Sequence, residues 1–410
     1  MSTFQPESLI PIPSHSEAEI VYVAVAEARG HLMRASQVCQ MLNGEGLKVA
    51  PMVTGPRAKE FFEAASGMEA EELSMGYTHG YGPDHSIDIN QSTTNILQYT
   101  FSAQGSRDLA AITRRMVGAR VLLNDLSTTP CLAALGWMVG GPYLINVISE
   151  NTYFALVNVD KLNSNRVKGA VGKKLLDAFF YAAKTNIINT MNPEKWFTRE
   201  GVLDFVPPFT QVPERARPSE CRWQGDAKGQ KKLFVAYFNP EFRQKAFIGK
   251  LKETAARYDA NLYLVSEYAA DWHAELADER TQIVKQDFGM ATLIREADLV
   301  ITAAGLALPL QNYIAGTPQL IIANPAHIEH ARNAETMRQN RMGYVIDGWD
   351  DVVEAAGKAM DQGQEAHPDI PARTMTAWRD IIFDLVDSPG LNLRGAMPVI
   401  RSFRQPLEAH

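Results

Sequence analysis

Short apolar runs alternate with segments of helical periodicity along this chain, most clearly between residues 287 and 345. An apolar, β-branched run at 299–302 is followed by helical spacing up to 315, and a second apolar run at 319–323 is followed by helical spacing over 327–340. Strands that are apolar throughout are typical of sheets covered on both faces. The pattern therefore predicts a β-α-β-α unit with parallel strands.

The turns that follow these two strands are candidate ligand-binding positions. Gly305 follows the first strand, and Asn324-Pro325 follows the second. Ligands of parallel α/β sheets bind outside the carboxyl ends of the strands, where helix N-termini direct backbone N–H groups at anions. Both turns are therefore expected to line a pocket.

The N-terminal half of the chain repeats the same alternation. An apolar run at 20–26 leads through Ala28-Arg29-Gly30-His31 into a helical pattern at 32–42, and a second strand is predicted at 47–54. Further strands are predicted at 121–123, 143–148 and 187–190, the last of this half, and helices at 93–116, 130–137 and 166–184. This half is expected to form a doubly wound, Rossmann-like domain.

A change of composition separates the two halves. Residues 208–230 are rich in Pro, Arg, Glu and Gly, which is typical of an interdomain linker, and a strand that opens a second doubly wound domain is predicted at 233–238. The predicted organisation is a flexible arm at 1–18, an N-terminal domain at 19–207, the linker at 208–230, a C-terminal domain at 231–387 and a terminal segment at 388–410.

Composition and charge place the chain among globular proteins with more than one domain. Its 410 residues, 46% hydrophobic and 21% charged, are too many for one ordinary core. The formal net charge of −7 argues against a nucleic-acid-binding protein, which normally carries a basic face. No run of about 18 uninterrupted apolar residues is present, so no membrane-spanning helix is predicted.

The cysteines and one histidine-containing loop bear on metals and redox state. Cys39, Cys131 and Cys221 are widely spaced and lack C-x-x-C pairing, so neither a disulfide framework nor a zinc site is predicted, and a reducing cytoplasm is the expected compartment. His79 lies in a segment at 76–90 that is dense in Gly, Tyr, His and Asp. Its spacing matches no standard metal-ligand pattern, and a solvated loop beside an acceptor cleft is predicted.

The segment at 166–184 combines an apolar side with basic residues at its start, including Lys173 and Lys174. This combination is seen in helices that lie at a membrane interface. It is equally typical of an ordinary amphipathic helix in a globular domain. Both interpretations stay open from the sequence.

The C-terminal pattern resembles the donor-binding half of GT-B glycosyltransferases, in particular the lipid-linked GlcNAc transferase of peptidoglycan assembly and the UDP-glycosyltransferase group. The family motif has a Met-Ala pair before a helix, a Gly after a strand, an acid six residues later, then Gly-x-Pro and Asn-Ala. Met290-Ala291, Gly305, Gln311, Gly316-Thr317-Pro318 and Asn333-Ala334 fall at these places in the chain. The resemblance implies a nucleotide-sugar site in the C-terminal domain.

The resemblance also implies a role for each matching residue of this site. The expected donor-binding residues are Met290 near the base, Gln311 at the ribose, Gly305 and Leu306 at the diphosphate through backbone N–H groups, and Glu329 and His330 at the donor sugar, with Asn333 as a further donor-binding residue.

Three positions depart from the family pattern. Gln311 stands where an acid is usual, Leu308 where a hydroxyl is common, and Phe238-Asn239-Pro240 where many relatives carry glycines and a hydroxyl. A glutamine accepts a weaker hydrogen bond than a carboxylate, and a leucine accepts none. The backbone N–H groups of the helix N-terminus are then the remaining donors for a diphosphate.

The first turn of the N-terminal domain matches the end of the family's Gly-Gly-His turn through Gly30-His31. The resemblance implies that His31 is a catalytic base or orients the substrate, since an imidazole can take a proton from a hydroxyl at neutral pH. Gly30 is expected to allow a tight turn. A histidine that only hydrogen-bonds at a helix start is the alternative. Asp125, at a predicted strand end, and His79 are the expected acceptor-side residues.

Together the resemblance implies a GT-B glycosyltransferase that moves a sugar from a nucleotide sugar, in the first place a UDP-sugar, to an acceptor hydroxyl. Inversion is expected, without a metal or another cofactor. The acceptor could be a lipid-linked molecule or a small metabolite, and the sequence leaves this choice open. It also leaves open whether the protein contacts the inner membrane face peripherally. A nucleotide-sugar 2-epimerase and a catalytically silent GT-B partner protein are the alternatives. A C-terminal helix is expected to return to the N-terminal domain, with 388–410 as the return segment.

The donor site predicts binding of a nucleoside diphosphate without a divalent metal, since the sequence has no D-x-D motif placed after a strand. Calorimetric titration with UDP, dTDP, ADP and GDP, each with and without EDTA, is expected to show binding of at least one nucleotide that EDTA does not change. Failure of all four to bind, or binding that EDTA abolishes, contradicts this donor site.

Overall fold

The computed structural model of the protein describes residues 8–26, 29–74, 76, 80–81, 87–125, 127–136, 141–162, 166–210, 231–238, 245–266, 273–285, 290–325 and 327–387. Within these residues the chain forms two α/β domains, each built on one mainly parallel sheet. His79, Cys221 and the segment 388–410 lie outside the described residues.

The N-terminal domain contains the first ten strands and eight helices. The strands are β1 (Ile20–Val25), β2 (Val49–Thr54), β3 (Glu71–Glu72), β4 (Gly80–Tyr81), β5 (Ile87–Asp88), β6 (Val121–Asp125), β7 (Tyr143–Ser149), β8 (Thr185–Asn189), β9 (Thr198–Glu200) and β10 (Leu203–Val206). The helices are α1 (Arg29–Gly44), α2 (Ala58–Ser66), α3 (Ile89–Thr100), α4 (Ala103–Arg115), α5 (Thr128–Gly136), α6 (Glu150–Val157), α7 (Val159–Leu162) and α8 (Arg166–Ala182), with one 3-10 turn at Pro193–Lys195.

The eight-stranded sheet of this domain has the order β3-β2-β1-β6-β7-β8-β10-β9. Every strand pair in it is parallel except β9 with β10. β1, β2 and β6 are buried along their whole length, because helices cover both faces of the sheet. The strand order reverses between β1 and β6, and such a switch point opens a crevice at the carboxyl ends of the strands.

The C-terminal domain has six parallel strands in the order β13-β12-β11-β14-β15-β16. The strands are β11 (Lys232–Tyr237), β12 (Ala260–Val265), β13 (Thr281–Val284), β14 (Leu299–Ala303), β15 (Gln319–Ala323) and β16 (Tyr344–Asp347). The helices are α9 (Lys245–Arg257), α10 (His273–Leu276), α11 (Met290–Glu296), α12 (Ala307–Ala315), α13 (Ile328–Gln339), α14 (Val352–Gln362) and α15 (Ile370–Val386). Its switch point lies between β11 and β14.

The last described helix, α15, packs on the N-terminal domain. Trp378, Ile382 and Leu385 belong to the apolar core of that domain, and the Trp378 ring meets the Phe209 ring edge-on with centroids 5.7 Å apart. Arg120 Nη1 donates a hydrogen bond of 2.8 Å to the last helical carbonyl, that of Val386. The expected helix return is therefore confirmed, and α15 makes it with its own apolar side.

Two features of the elements differ from the sequence expectation. The helix predicted at 93–116 is two helices, α3 and α4. The Ser102 hydroxyl accepts a 3.0 Å hydrogen bond from the Gly105 N–H and so caps the start of α4, which separates it from α3. Periodicity also did not predict β9, β10, β13 and β16, which are each three or four residues long and too short to show a period.

The described residues also bear on the cysteines, membranes and metals. Cys39 and Cys131 are buried free thiols, and burial raises the pKa of both. No described helix has the length and apolar character needed to cross a membrane. Across the same residues no three His, Cys, Asp or Glu side chains are grouped closely enough to hold a metal ion.

Candidate active site

His31 and Asp125 come together at the switch point of the N-terminal sheet. β1 and β6 are adjacent, and Ala24 lies opposite Asp125 in their parallel register. α1 begins at Arg29, shortly after β1 ends, so His31 stands in the first turn of the helix beside the end of β6. The ends of β1 and β6 therefore bring a histidine and an aspartate side chain close together.

The imidazole and the carboxylate are hydrogen-bonded. His31 Nδ1 lies 2.7 Å from Asp125 Oδ1. The His31 side chain is 20% exposed, whereas the Asp125 side chain is completely buried. Part of the histidine side chain is therefore accessible to solvent, whereas the aspartate side chain is not.

Arg34 is the third member of this cluster and lies one helical turn after His31. Its Nε donates to Asp125 Oδ2 at 2.9 Å and one terminal nitrogen, Nη2, donates to Oδ1 at 2.6 Å, a bidentate pair. The Tyr22 hydroxyl also donates to Oδ2, at 3.4 Å. The carboxylate is thus surrounded by donors from β1 and α1.

The protonation state of Asp125 decides how the histidine is oriented. Burial alone raises the pKa of this carboxyl, but the charges of Arg34 and His31 and the hydrogen bonds from both outweigh burial and lower the pKa. The ionised carboxylate only accepts hydrogen bonds, so we assign the proton to His31 Nδ1, which donates it to Asp125. Arg34 Nη2, which can only donate, lies 2.9 Å from the same nitrogen and then acts on it as a charge and not as a hydrogen-bond donor. The outer nitrogen, Nε2, is then the one that can accept a proton.

The other N-terminal candidates have different environments from those expected. Gly30 is the second residue of α1, is exposed and does not have a positive φ, and a Cβ added there meets nothing within 4 Å. The expected tight turn is therefore not what places glycine at this position. Asp125 is buried against His31 and Arg34, so it holds the imidazole instead of presenting an oxygen to an acceptor. His79 lies outside the described residues.

On the donor side, Gly305 and Leu306 follow β14 at the switch point of the C-terminal sheet. The Gly305 N–H donates to Ala303 O at 2.8 Å, so it is occupied within the turn. Leu306 is the N-cap residue of α12, and no side chain caps this helix end. Uncapped N–H groups in a first helical turn can donate to an anion, so the backbone N–H groups that could do so here lie from Leu306 onward.

Two further expected donor residues, Met290 and Gln311, lie on α11 and α12, and so does the departure at Leu308. Met290 is the first residue of α11, and Gln311 is half-buried in the second turn of α12. Leu308 packs against an apolar cluster that contains Leu293 and Val300. The Leu308 side chain therefore belongs to the domain core and leaves anion binding to the backbone.

Glu329 and His330 stand in the first turn of α13, after β15. His330 is only 3% exposed, and its ring lies against that of His327 with centroids 4.4 Å apart. Burial, and then the charge of His327, lower the pKa of His330 to about 3, so its imidazole is neutral at neutral pH. Glu329 is half-buried and is the more accessible of the two.

Asn333 connects the donor-side turn with the N-terminal domain. Its Nδ2 donates to Ala304 O, the residue before Gly305, at 2.9 Å. Its Oδ1 accepts a hydrogen bond of 2.5 Å from Asn151 Nδ2 on α6. At 1% exposure, Asn333 has its amide occupied by protein groups on both sides of the domain boundary.

Stacking and apolar contacts extend this boundary. The Arg332 guanidinium lies 3.4 Å from the centroid of the Phe154 ring on α6, and the Trp196 and Tyr313 rings meet edge-on with centroids 6.4 Å apart. Met191, which follows β8, is buried in an apolar cluster with Leu310 of α12. These contacts fix the position of α12 and α13 relative to the N-terminal domain.

The chain was compared with known proteins. No protein-family model and no curated protein sequence matches it. The glycosyltransferase of kitacinnamycin superposes with a TM-score of 0.59 at 16% identity, covering 91% of this chain and 100% of that one. The calicheamicin glycosyltransferase CalG4 has a TM-score of 0.56 at 14% identity, covering 91% and 99%. A UDP-glucosyltransferase from Polygonum tinctorium has a TM-score of 0.57 at 13% identity, covering 92% and 96%.

This chain has the GT-B fold. The superpositions span both domains; the two mainly parallel sheets are what the sequence pattern predicts, and the returning helix is what the family resemblance implies. At these identities the likeness concerns the fold, and the chemistry has to be argued from the side chains.

Arg34 is the site residue that the sequence analysis missed. One signal for it is present: Arg34 stands four residues before Val38 and eight before Leu42, so it falls on the buried side of α1. A charged residue on the buried side of a helix needs a partner of opposite charge. The sequence does not say which one.

The domain boundary predicts a graded loss of stability. Asn333→Leu removes both hydrogen bonds and leaves the Ala304 carbonyl unpaired, and is expected to lower the free energy of unfolding by about 1–3 kcal/mol. Asn151→Ala removes only the interdomain bond and is expected to cost about 0.5–1.5 kcal/mol. Gln339→Ala, an exposed position on α13, is the control. Urea denaturation in which all three variants match the wild type contradicts the role of Asn333 at this boundary.

Proposed function

We propose that this protein transfers a sugar from a nucleotide-sugar donor to an acceptor hydroxyl. The observation that carries the proposal is the His31–Asp125 pair at the carboxyl end of β1 and β6, in which the carboxylate binds Nδ1 and leaves Nε2 of a partly exposed imidazole to accept a proton. General-base assistance to an attacking hydroxyl requires this arrangement of an oriented imidazole. The fold shared with solved glycosyltransferases supports the same reaction class.

The proposed step is a single displacement. His31 Nε2 takes the proton from the acceptor hydroxyl, and the oxygen forms a bond to the anomeric carbon of the donor. The bond from that carbon to the diphosphate breaks, and the diphosphate leaves with the electron pair. Attack opposite the leaving group inverts the anomeric centre. The N-terminal N–H groups of α12 stabilise the negative charge on the diphosphate, without a metal ion.

The proposed donor is a sugar on a pyrimidine nucleoside diphosphate, UDP or dTDP. Among the structural neighbours, VinC was solved with dTDP and the spinosyn rhamnosyltransferase SpnG with thymidine diphosphate. The relative from Polygonum tinctorium is a UDP-glucosyltransferase. In this chain the first turn of α12 is the proposed diphosphate site, with Gln311 and Glu329 as the side chains for the ribose and the sugar.

The two alternatives fit the site less well. A 2-epimerase needs cleft acids that move protons at sugar carbons, whereas Asp125 is buried and committed to Arg34 and His31. A silent partner protein is favoured by the departures at Gln311 and Leu308. Against it, the imidazole is hydrogen-bonded and oriented for proton transfer, an arrangement that a partner role does not require.

We also propose that α8 contacts an anionic membrane surface. Val167 and Val171, one helical turn apart, are 73% and 49% exposed. Arg166, Lys168 and Lys174 are exposed beside them, on a chain whose formal net charge is −7. An apolar pair flanked by cations matches a surface of anionic headgroups over acyl chains.

Vesicle sedimentation tests this contact. The protein is expected to sediment with phosphatidylglycerol vesicles and to stay in the supernatant with phosphatidylcholine vesicles, because the cations need anionic headgroups. The double variant Val167→Glu, Val171→Glu is expected to lose sedimentation, while Val117→Glu at another exposed valine keeps it. Equal behaviour of the double variant and the control, or no sedimentation of the wild type, contradicts the proposal.

Removal of His31 tests the proposed chemistry. His31→Ala and His31→Gln are expected to lower kcat by about 10²- to 10⁴-fold, the usual contribution of a general base, and to leave nucleoside diphosphate affinity nearly unchanged. The measurements are kcat with the best donor and acceptor found by screening, nucleotide affinity by calorimetry, and melting temperature.

His15→Ala, at an exposed histidine that precedes β1, is the control and is expected to keep wild-type turnover. Near wild-type kcat in both His31 variants, with unchanged melting temperature, would falsify the assignment of His31 as the base.

A further inference from the structure

Arg34 has no evident part in the displacement itself, yet it touches both members of the base pair. Its terminal nitrogen Nη2 lies 2.6 Å from Asp125 Oδ1 and 2.9 Å from His31 Nδ1. At 7% exposure it is inaccessible to a large ligand, and its hydrogen bonds are directed to Asp125. This geometry does not suit direct binding of the acceptor, so we expect Arg34 to act through His31.

The distances show how Arg34 acts on the imidazole. His31 Nδ1 is 2.7 Å from the nearer carboxylate oxygen and 2.9 Å from the guanidinium nitrogen. Coulomb energy varies as the inverse of distance, so two opposite unit charges at nearly equal distances from Nδ1 act in opposite directions, and with similar strength, on the positive charge that the ring gains when Nε2 takes a proton. Asp125 therefore orients the ring, while Arg34 offsets most of its electrostatic attraction for the proton.

Counting charges leads to the same result. A histidine and an aspartate alone go from a net charge of minus one to zero when the imidazole takes a proton. With Arg34 included, the cluster goes from zero to plus one. Among the residues that the structure describes, the Tyr22 hydroxyl and, beyond it, the Cys39 thiol also face the cluster, and burial keeps both protonated and neutral by raising their pKa. In a buried site a neutral cluster resists becoming a cation.

We infer that Arg34 is a specificity-determining residue that restricts the acceptor to hydroxyls that release a proton readily, such as phenolic ones, in preference to aliphatic alcohols. The inference rests on the proposed function. A phenol has a pKa of about 10, whereas the pKa of an aliphatic hydroxyl is much higher, close to that of water. A base whose protonation is opposed by a neighbouring cation assists attack best when the hydroxyl already holds its proton weakly.

Two acceptors of similar shape test the acceptor class. Wild-type protein is expected to have a kcat/KM at least about 10²-fold higher for a phenol such as 4-methylphenol than for benzyl alcohol, with one donor sugar throughout. A comparable kcat/KM for the two acceptors overturns the inference while the proposed sugar transfer stands. This comparison needs no variant, so it decides the point even if changes at Arg34 prevent folding.

Variants at position 34 test the charge. Arg34→Met leaves the Asp125 carboxylate with His31 and Tyr22 as donors. It is expected to lower the ratio of kcat/KM for the phenol to kcat/KM for the alcohol about tenfold. It is also expected to move the acid limb of the pH–rate profile up by about one pH unit. Arg34→Lys keeps a cation and is expected to restore both towards the wild type. A methionine variant that is folded by circular dichroism and shifts neither quantity overturns the inference.

A readout that does not depend on activity separates this inference from the proposed function. The titration of the His31 imidazole, followed by NMR, is expected to move to higher pH in Arg34→Met and to stay near the wild type in Arg34→Lys. If no donor supports transfer, the proposed function is contradicted, and the inferred preference for phenolic acceptors is contradicted with it, whatever the titration shows. Transfer with an unmoved titration contradicts only the role of Arg34.

Discussion

The buried ion pair between Arg34 and Asp125 is the interaction on which the N-terminal site depends. Asp125 is completely buried at the end of a sheet strand, and a carboxylate there is tolerated only with charged and hydrogen-bonding partners. Both main partners, Arg34 and His31, come from the first two turns of α1. α1 must therefore pack on β1 and β6 in one orientation about its own axis. The same orientation directs the outer nitrogen of His31 away from the carboxylate.

The second constraint is the position of one domain on the other. α15 leaves the C-terminal domain and buries Trp378 in the N-terminal core, while Asn333 joins the turn before Gly305 to Asn151. The two contacts lie on different elements, so they limit both the separation and the rotation of the domains. His31 and the N-terminus of α12 belong to the two switch points that this arrangement holds together.

The parallel strands were predictable because helices cover both faces of each sheet, so that β1, β2, β6, β14 and β15 are buried along their whole length and consist mainly of apolar residues. The Gly, Pro and Asn turns after them then mark the helices. Prediction failed where the signal is a single side chain, as with the Ser102 cap between α3 and α4, or where a strand such as β9 or β16 is too short to show a period.

The sequence by itself determined the alternation of strands and helices, the division into two domains and the strand ends at which His31, Asp125 and Gly305 stand, since all of these depend on local periodicity and turn residues. Only the tertiary structure decided which groups are partners. His31 and Asp125 are 94 residues apart, and Asn151 and Asn333 are 182 apart. Their pairing depends on strand order and domain packing, which no local pattern contains. The same packing buries Arg34 beside them and gives the imidazole its electrostatic environment.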